Sequence, residues 1–383
     1  MSCPPLDHIP TPCLLLDEAA LNRNLARMSR RALDAGVDLR PHCKTAKCLE
    51  VAMRATAGHS GAIAVATMKE AEFFAANGFS DILYTVNLEP SKIERIAPLQ
   101  EAGARVSAVL DSAAAAHAIA AAQHRLAGPL EIFLELDSGT HRTGFLPGDS
   151  EILEAARILE AAPKLALRGT LAFGGKGYAA DRVEGTRAAA EAERRAATDA
   201  AEAIRAADID CPDVSIGSTP TRTLGDSLEG VTEIRPGVYV FMDLMQVKLH
   251  VCDYSDIAVT VLARVIAHNQ RENRIYIDAG ALALSNDPGI RPPDGPYAPY
   301  GLLRDPETGG PIFGLGVFNV NQEHGFVQCA DPEAPFPFDD FPLGAPVRVF
   351  PNHVCHTAGS HDRYHVIGPD GSLIGEWKRV TGW

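Results

Sequence analysis

The N-terminal part of the chain alternates short, wholly apolar runs with longer segments whose apolar residues recur every three or four positions. The runs are "PCLLLD", "VDLRPHC", "AIAVAT", "DILYTV", "RVSAVLD", "EIFLELD", "LRGTLAF" and "DVSIGST". Runs that do not alternate with polar residues are what parallel strands buried on both faces look like. The segments between them, such as "EAALNRNLARMSRRALDAG" and "ILEAARILEAAP", carry Ala, Leu, Glu and Arg on a 3.6-residue period and predict amphipathic helices. Strands and helices in this alternation predict an α/β fold, a (β/α)8 barrel; an open doubly wound sheet has the same local pattern and remains the alternative.

Near Asp243 the helical period fades. "IAVTVLARVIAHN", "RIYIDAGALAL", "GVFNVNQ", "HGFVQC", "PVRVFPNHVC" and "RYHVIG" read as antiparallel strands. "SNDPGIRPPDGPYAPYG" and "ADPEAPFPFDDFP" read as Pro-rich loops. The expected layout is a barrel over 12–243 and a smaller antiparallel β domain over 244–383, joined by residues 1–11.

Composition narrows the function. The 383 residues carry a formal net charge of −14 without basic tracts, which argues against nucleic acid or anionic membrane as partners. No basic segment followed by an apolar one opens the chain, and no apolar run approaches a membrane span, so a cytoplasmic location is expected. The eight cysteines are scattered and form no CxxC pair, which predicts reduced thiols.

The chemistry sits at the predicted strand ends, where barrels of this kind place it. Lys44, in "RPHCKTAK", follows one such end. A lysine there forms an imine if neighbouring positive charge or burial lowers its pKa, and Arg40 and His42 are the expected source of that charge. A solvated lysine at a helix start would be spelled the same way. "DVSIGSTPTR" ends a strand in Gly217, Ser218 and Thr219, whose backbone and hydroxyl donors suit a phosphate, or merely form a polar turn. "ELDSGTHRTG" places Arg142 after another strand, where it can hold a carboxylate or phenolate oxygen or pair at the surface. "RPGVYVFMD" places Arg235 ahead of a Pro236–Gly237–Val238 turn that either completes a phosphate site or only joins the domains. In "FPNHVCHT", His353 and Cys355 stand two apart, which on a strand would put an imidazole and a thiolate on one face as half of an open catalytic zinc site. A core cysteine beside a hydrogen-bonded histidine fits the same spacing, and His356, His361 and His365 lie nearby.

Taken in order, "RPHCKTAK", "ELDSGTHRTG", "SIGSTPT", "RPGVYVF", "NQEHG" and "PNHVCHT" resemble the D-serine dehydratase and D-threonine aldolase group of fold-type III pyridoxal-phosphate (PLP) enzymes, and within it the D-threo-3-hydroxyaspartate dehydratase type. The likeness covers nearly the whole chain. It implies an alanine racemase-like barrel with Lys44 in imine linkage to PLP and Arg142 near the phenolic oxygen. Gly217, Ser218, Thr219, Gly237 and Val238 would hold the phosphate. Arg235 would face the pyridine nitrogen, and Tyr178 of "GGKGY" would contact the cofactor. His353 and Cys355 would bind a divalent metal, with zinc the leading candidate. It further implies a homodimer acting on a small D-amino acid.

The implied reaction is dehydration of a D-3-hydroxy amino acid to a 2-oxo acid and ammonia. Retro-aldol cleavage to glycine and an aldehyde uses the same parts; the His–Cys pair resembles the dehydratases, whereas the related aldolases pair His with Asp. A racemase needs a second base on the opposite face, usually a tyrosine from the smaller domain, and the sequence singles none out; a non-catalytic PLP carrier needs neither the second domain nor the metal pair. The chain departs from the pattern at Phe173, where related dehydratases carry histidine, and at Lys176, where a small polar residue is expected. Lys176 or Arg222 would suit a second substrate carboxylate.

Overall fold

The computed structural model describes residues 6–289, 291, 297–306 and 308–383. Residues 290 and 292–296 of the predicted "SNDPGIRPPDGPYAPYG" loop lie outside them. The chain divides into two compact units, one of residues 27–237 with 382–383 and one of residues 1–26 with 238–381.

The first strand, β1 (Cys13–Asp17), does not join the barrel as its apolar spelling suggested. It is paired between two strands of the β unit, antiparallel to one and parallel to the other. The parallel sheet is built from β2 (Asp38–Leu39), β3 (Ile63–Val65), β4 (Asp81–Asn87), β5 (Arg105–Leu110), β6 (Leu130–Leu136), β7 (Leu165–Ala172), β8 (Asp213–Ile216) and β9 (Glu233–Ile234). Their order is β2-β9-β8-β7-β6-β5-β4-β3. The eighth strand is therefore β9, whose two residues in "TEIRPG" are too few to form an apolar run. A parallel bridge from His42 to Ala64 joins the two ends of the sheet. On one side Arg40 and His42 donate N–H bonds to Ile234 and Pro236 carbonyls; on the other, Cys43 donates to Ala64 and Ala64 to Pro41. The segment leading to Lys44 is thus stitched on both edges.

Strand alternation sorts the barrel interior into levels. At the N-terminal strand ends lies an ionic floor. Arg40, 1% exposed, donates to both oxygens of Glu233 at 2.9 and 3.0 Å and to Asp81 at 2.6 Å. Arg168 meets Glu131 and Asp213, each at 2.5 Å. Above it Ala64, Leu83, Val109, Phe133 and Leu171, one from each of β3 to β7, form a contiguous apolar cluster. The polar strand ends follow.

The β unit contains β10 (Val259–Asn269), β11 (Arg274–Ile277), β12 (Leu302–Arg304), β13 (Pro311–Val320), β14 (Gly325–Cys329), β15 (Pro346–Phe350), β16 (Arg363–Ile367) and β17 (Leu373–Lys378). The pairing β10-β11-β14-β13-β12-β15 returns to β10, a closed six-stranded antiparallel ring, and β1, β16 and β17 extend it from β10. Cys13 and Leu15 of β1 bury against Leu262 and Ile367, which is what their apolar spelling serves. Among the described residues every cysteine is a free thiol, and no helix is long and apolar enough to cross a membrane.

Replacing Arg40 by Met strands Glu233 and Asp81 in the floor and is expected to cost about 3–5 kcal/mol, read as a lower midpoint in chemical denaturation; an unchanged midpoint would show that the carboxylates find other partners.

Candidate active site and metal centre

In the barrel unit, four sequence-predicted positions come together at the C-terminal strand ends. The Lys44 ammonium stands 5.6 Å from the centre of the Phe173 ring, and the Arg142 guanidinium 5.1 Å from it. Tyr178 stacks on the same ring at 6.4 Å with planes 29° apart. Phe173 thus occupies the centre of the cluster, and its carbonyl is held by the Ser138 hydroxyl and the Gly175 N–H. Arg142 also reaches Glu135 at 3.4 Å. Lys176 lies across Gly139, whose φ of +110° and missing Cβ leave room for it; a Cβ there would fall 3.0 Å from Lys176 Nζ.

The expectation that Arg40 and His42 lend positive charge to Lys44 is overturned. Arg40 is shared between two carboxylates in the floor. Burial holds the His42 imidazole well below its ordinary pKa, helped by the Lys44 and Arg235 charges, so it is neutral. Its Nδ1 accepts the Lys44 N–H at 3.3 Å, and Nε2 meets the Thr85 hydroxyl at 3.0 Å, which itself donates to the Val65 carbonyl. With Nδ1 accepting, Nε2 carries the proton. His42 therefore positions the turn bearing Lys44.

Arg235 is buried beside this turn. Burial pulls its guanidinium down to about 10, against the carboxylates of Glu233, Glu193 and Glu135. It donates to the Ser215 hydroxyl at 2.6 Å and the Ala172 carbonyl at 2.8 Å. Gly237 packs on the same strand, since a Cβ there would come within 3.2 Å of the His42 carbonyl oxygen. Val238 opens a 3-10 turn, Val238–Val240, and its carbonyl accepts from Phe241 and Met242.

Ser218 caps the short helix Thr219–Leu224, accepting the Thr221 N–H, and Thr219 is buried. Gly217 is glycine because a Cβ would strike the Arg235 carbonyl, and its N–H is committed to Glu193 at 2.8 Å rather than to a ligand. Arg222 is likewise committed. It is 1% exposed and donates to Glu193 at 2.8 Å, which removes it as a cation for a substrate carboxylate. Sequence reasoning missed Glu193; its only sign was one acidic residue on the buried stripe of an Ala-rich helix.

In the β unit, Asp287, His353 and His356 offer ligand atoms that all lie within 4.8 Å of one another. Asp287 Oδ2 is 3.0 Å from His353 Nδ1 and 3.1 Å from His356 Nδ1. The expected shared strand face is wrong: β15 ends at Phe350, and His353 is the N-cap of a one-turn helix, Val354–Thr357, that contains Cys355. Cys355 still contacts His353. Burial works against the His353 imidazolium, but Cys355, Asp243 and Asp287 outweigh it and push the group up to about 9. Asp243, 1% exposed, accepts the Val354 N–H at 3.1 Å and anchors that helix. The Thr357 hydroxyl and His361 imidazole bond to the Leu284 and Ala283 carbonyls, which brings the Asp287 segment alongside. His361 is thereby occupied elsewhere, and His365 pairs with Glu376. Asp287 was not predicted; its "NDPG" context reads only as a turn. Imidazole, carboxylate and thiol donors are a set that zinc accepts.

Comparison with known proteins places the chain among characterised relatives. Residues 16–245 match the family model "Alanine racemase, N-terminal domain", and residues 258–367 match "Putative serine dehydratase domain". The D-threo-3-hydroxyaspartate dehydratase of Delftia sp. (strain HT23) is 39% identical over 97% of this chain and 98% of its own. The chain belongs to the D-serine dehydratase-like family of alanine racemase-fold enzymes. The solved structure of the Delftia protein superposes with a TM-score of 0.93 at 39% identity, covering 98% of this chain and 99% of that one. A D-serine dehydratase from Dictyostelium discoideum is 30% identical over 99% of this chain and 98% of its own. A 3-hydroxy-D-aspartate aldolase from Paracoccus denitrificans is 29% identical over 93% of this chain and 88% of its own. As a member of this family the protein is a lyase, and the comparison favours the dehydratases over the aldolases.

In equilibrium dialysis against Zn2+, His353→Ala and Asp287→Ala are each expected to weaken binding at least about tenfold, while replacing the exposed His117 of the barrel unit by Ala leaves it unchanged; full retention by Asp287→Ala would remove that carboxylate from the donor set.

Proposed function

We propose that the protein is a PLP- and divalent-metal-dependent dehydratase of D-3-hydroxy amino acids such as D-serine, D-threonine or D-threo-3-hydroxyaspartate. The observation that carries the reading is the Lys44 amine on the Phe173 ring, with Arg142 and Tyr178 on the same aromatic surface. An aromatic face within reach of a lysine amine suits a planar heteroaromatic aldehyde. In this reading Lys44 anchors PLP, Arg142 and Tyr178 flank it and Arg235 faces its ring nitrogen. Gly217, Ser218, Thr219, Gly237 and Val238 frame the phosphate, with the Gly217 N–H already spent. His353, Cys355, His356 and Asp287 supply the metal donors, and Zn2+ is the ion their chemistry favours. A homodimer in the cytoplasm belongs to the same reading.

When bound, PLP supplies an electron sink at the substrate Cα and the metal a Lewis acid for a β-hydroxyl. The chain's own residues bind and move protons. With PLP held there, Lys44 Nζ would be the base that takes the substrate's Cα proton. His42 keeps the turn beneath it fixed and adds no charge. The hydroxyl leaves with its bonding electrons, and hydrolysis of the remaining enamine gives one 2-oxo acid and one ammonia.

Incubating the enzyme with PLP, Zn2+ and each D-3-hydroxy amino acid is expected to release ammonia and a 2-oxo acid, with EDTA abolishing the release. Lys44→Ala is expected to lower the rate at least about a thousandfold. Glycine and an aldehyde as products would make it an aldolase; accumulation of the L-enantiomer would make it a racemase.

A further inference from the structure

Glu193 lies midway along the 24-residue helix Val183–Ala206 with its side chain fully enclosed. A carboxylate in such a place is retained only if its oxygens are occupied by donors. Oε1 accepts the Gly174 N–H at 2.7 Å and the Gly217 N–H at 2.8 Å. Oε2 accepts the Thr221 hydroxyl at 2.7 Å and the Arg222 guanidinium at 2.8 Å. Merely fastening the helix to the barrel would need only Arg222. Instead, one oxygen bridges the loop after β7 and the end of β8, residues 43 positions apart in sequence. The other reaches into the turn that starts the next helix.

The contacts are close enough to dictate sequence. A Cβ at Gly174 would fall 2.6 Å from Glu193 Oε2. The reach extends one hydroxyl further. A carboxylate only accepts, so Thr221 spends its single proton on Glu193. The Ser218 hydroxyl, 2.7 Å from Thr221 Oγ1, then donates to that oxygen. Backbone at 174 and 217 and the hydroxyl at 218 are all set by this one group. Arg222 neutralises it, so it presents no net charge to an anion.

We infer that Glu193, backed by Arg222, is a positioning residue that holds the Gly217–Ser218–Thr219 turn in shape to receive the cofactor's phosphate. The inference rests on the cofactor reading above. It makes Glu193 specific for the phosphate and indifferent to the pyridine ring and aldehyde, which the cofactor reading would assign to Lys44 and Phe173.

The test is titration of the cofactor-free full chain with PLP and with pyridoxal, which has the same ring and aldehyde but no phosphate. Glu193→Gln is expected to raise the Kd for PLP at least about tenfold and that for pyridoxal less than about twofold. Thr221→Val, which cuts the link to Ser218 without a change of charge, is expected to shift PLP in the same sense by about threefold. Equal weakening of both ligands would assign Glu193 a purely structural role, and unchanged or tighter PLP binding would also overturn the inference. Should Glu193→Gln show no cooperative thermal transition, Thr221→Val decides alone, and an unchanged PLP Kd there overturns it. A wild-type chain that binds neither compound, with no borohydride-fixed adduct on Lys44, would sink the cofactor reading and this inference with it.

Discussion

Arg40 is enclosed in the floor of the barrel, and its guanidinium is divided between Glu233 and Asp81. Each of these carboxylates begins another strand, so the three charges hold β2, β9 and β4 in one arrangement. β2 and β9 are two residues each by their ladders, too short to define a register through apolar packing. The buried ion pair supplies the definition, since a slipped register would leave a charge without its partner. Two residues on, the His42–Ala64 bridge joins the sheet ends, and two further on stands Lys44. Lys44 is thus placed by the same segment that closes the barrel.

The interior divides its tasks by height. The floor is ionic and internally satisfied, the middle is apolar, and the polar strand ends carry the chemistry. This separation explains why several basic residues singled out in the sequence are occupied within the scaffold. His42 is neutral because burial next to cations makes an imidazolium too costly. Arg222 serves Glu193 and is committed inside the scaffold, while Ser215 and Ala172 hold the Arg235 guanidinium in place. Lys44, Arg142 and Tyr178 remain around Phe173, and the proposed function assigns the ligand to this group.

The donor group of the β unit is assembled by turns and not by a strand. Asp243 holds the start of the His353 helix, while Thr357 and His361 tie in the segment that leads to Asp287. Polar groups that look like spare ligands in the sequence are the supports that bring the donors together, as metal sites generally require.

The sequence by itself determined the class of fold, the positions of most barrel strands and the β-rich second unit, because continuous apolar runs and 3.6-residue periods are local consequences of burial. Tertiary structure alone decided the rest. "PCLLLD" is as apolar as any barrel strand, yet it lies between β10 and β16, and Glu233–Ile234 takes the eighth place. An apolar pattern records that a strand is buried but not by which neighbours. Glu193 and Asp287 were invisible for a related reason. A buried carboxylate and a turn aspartate have no spacing rule, and their roles exist only once residues distant along the chain, Gly174 with Gly217 or His353 with His356, are folded around them.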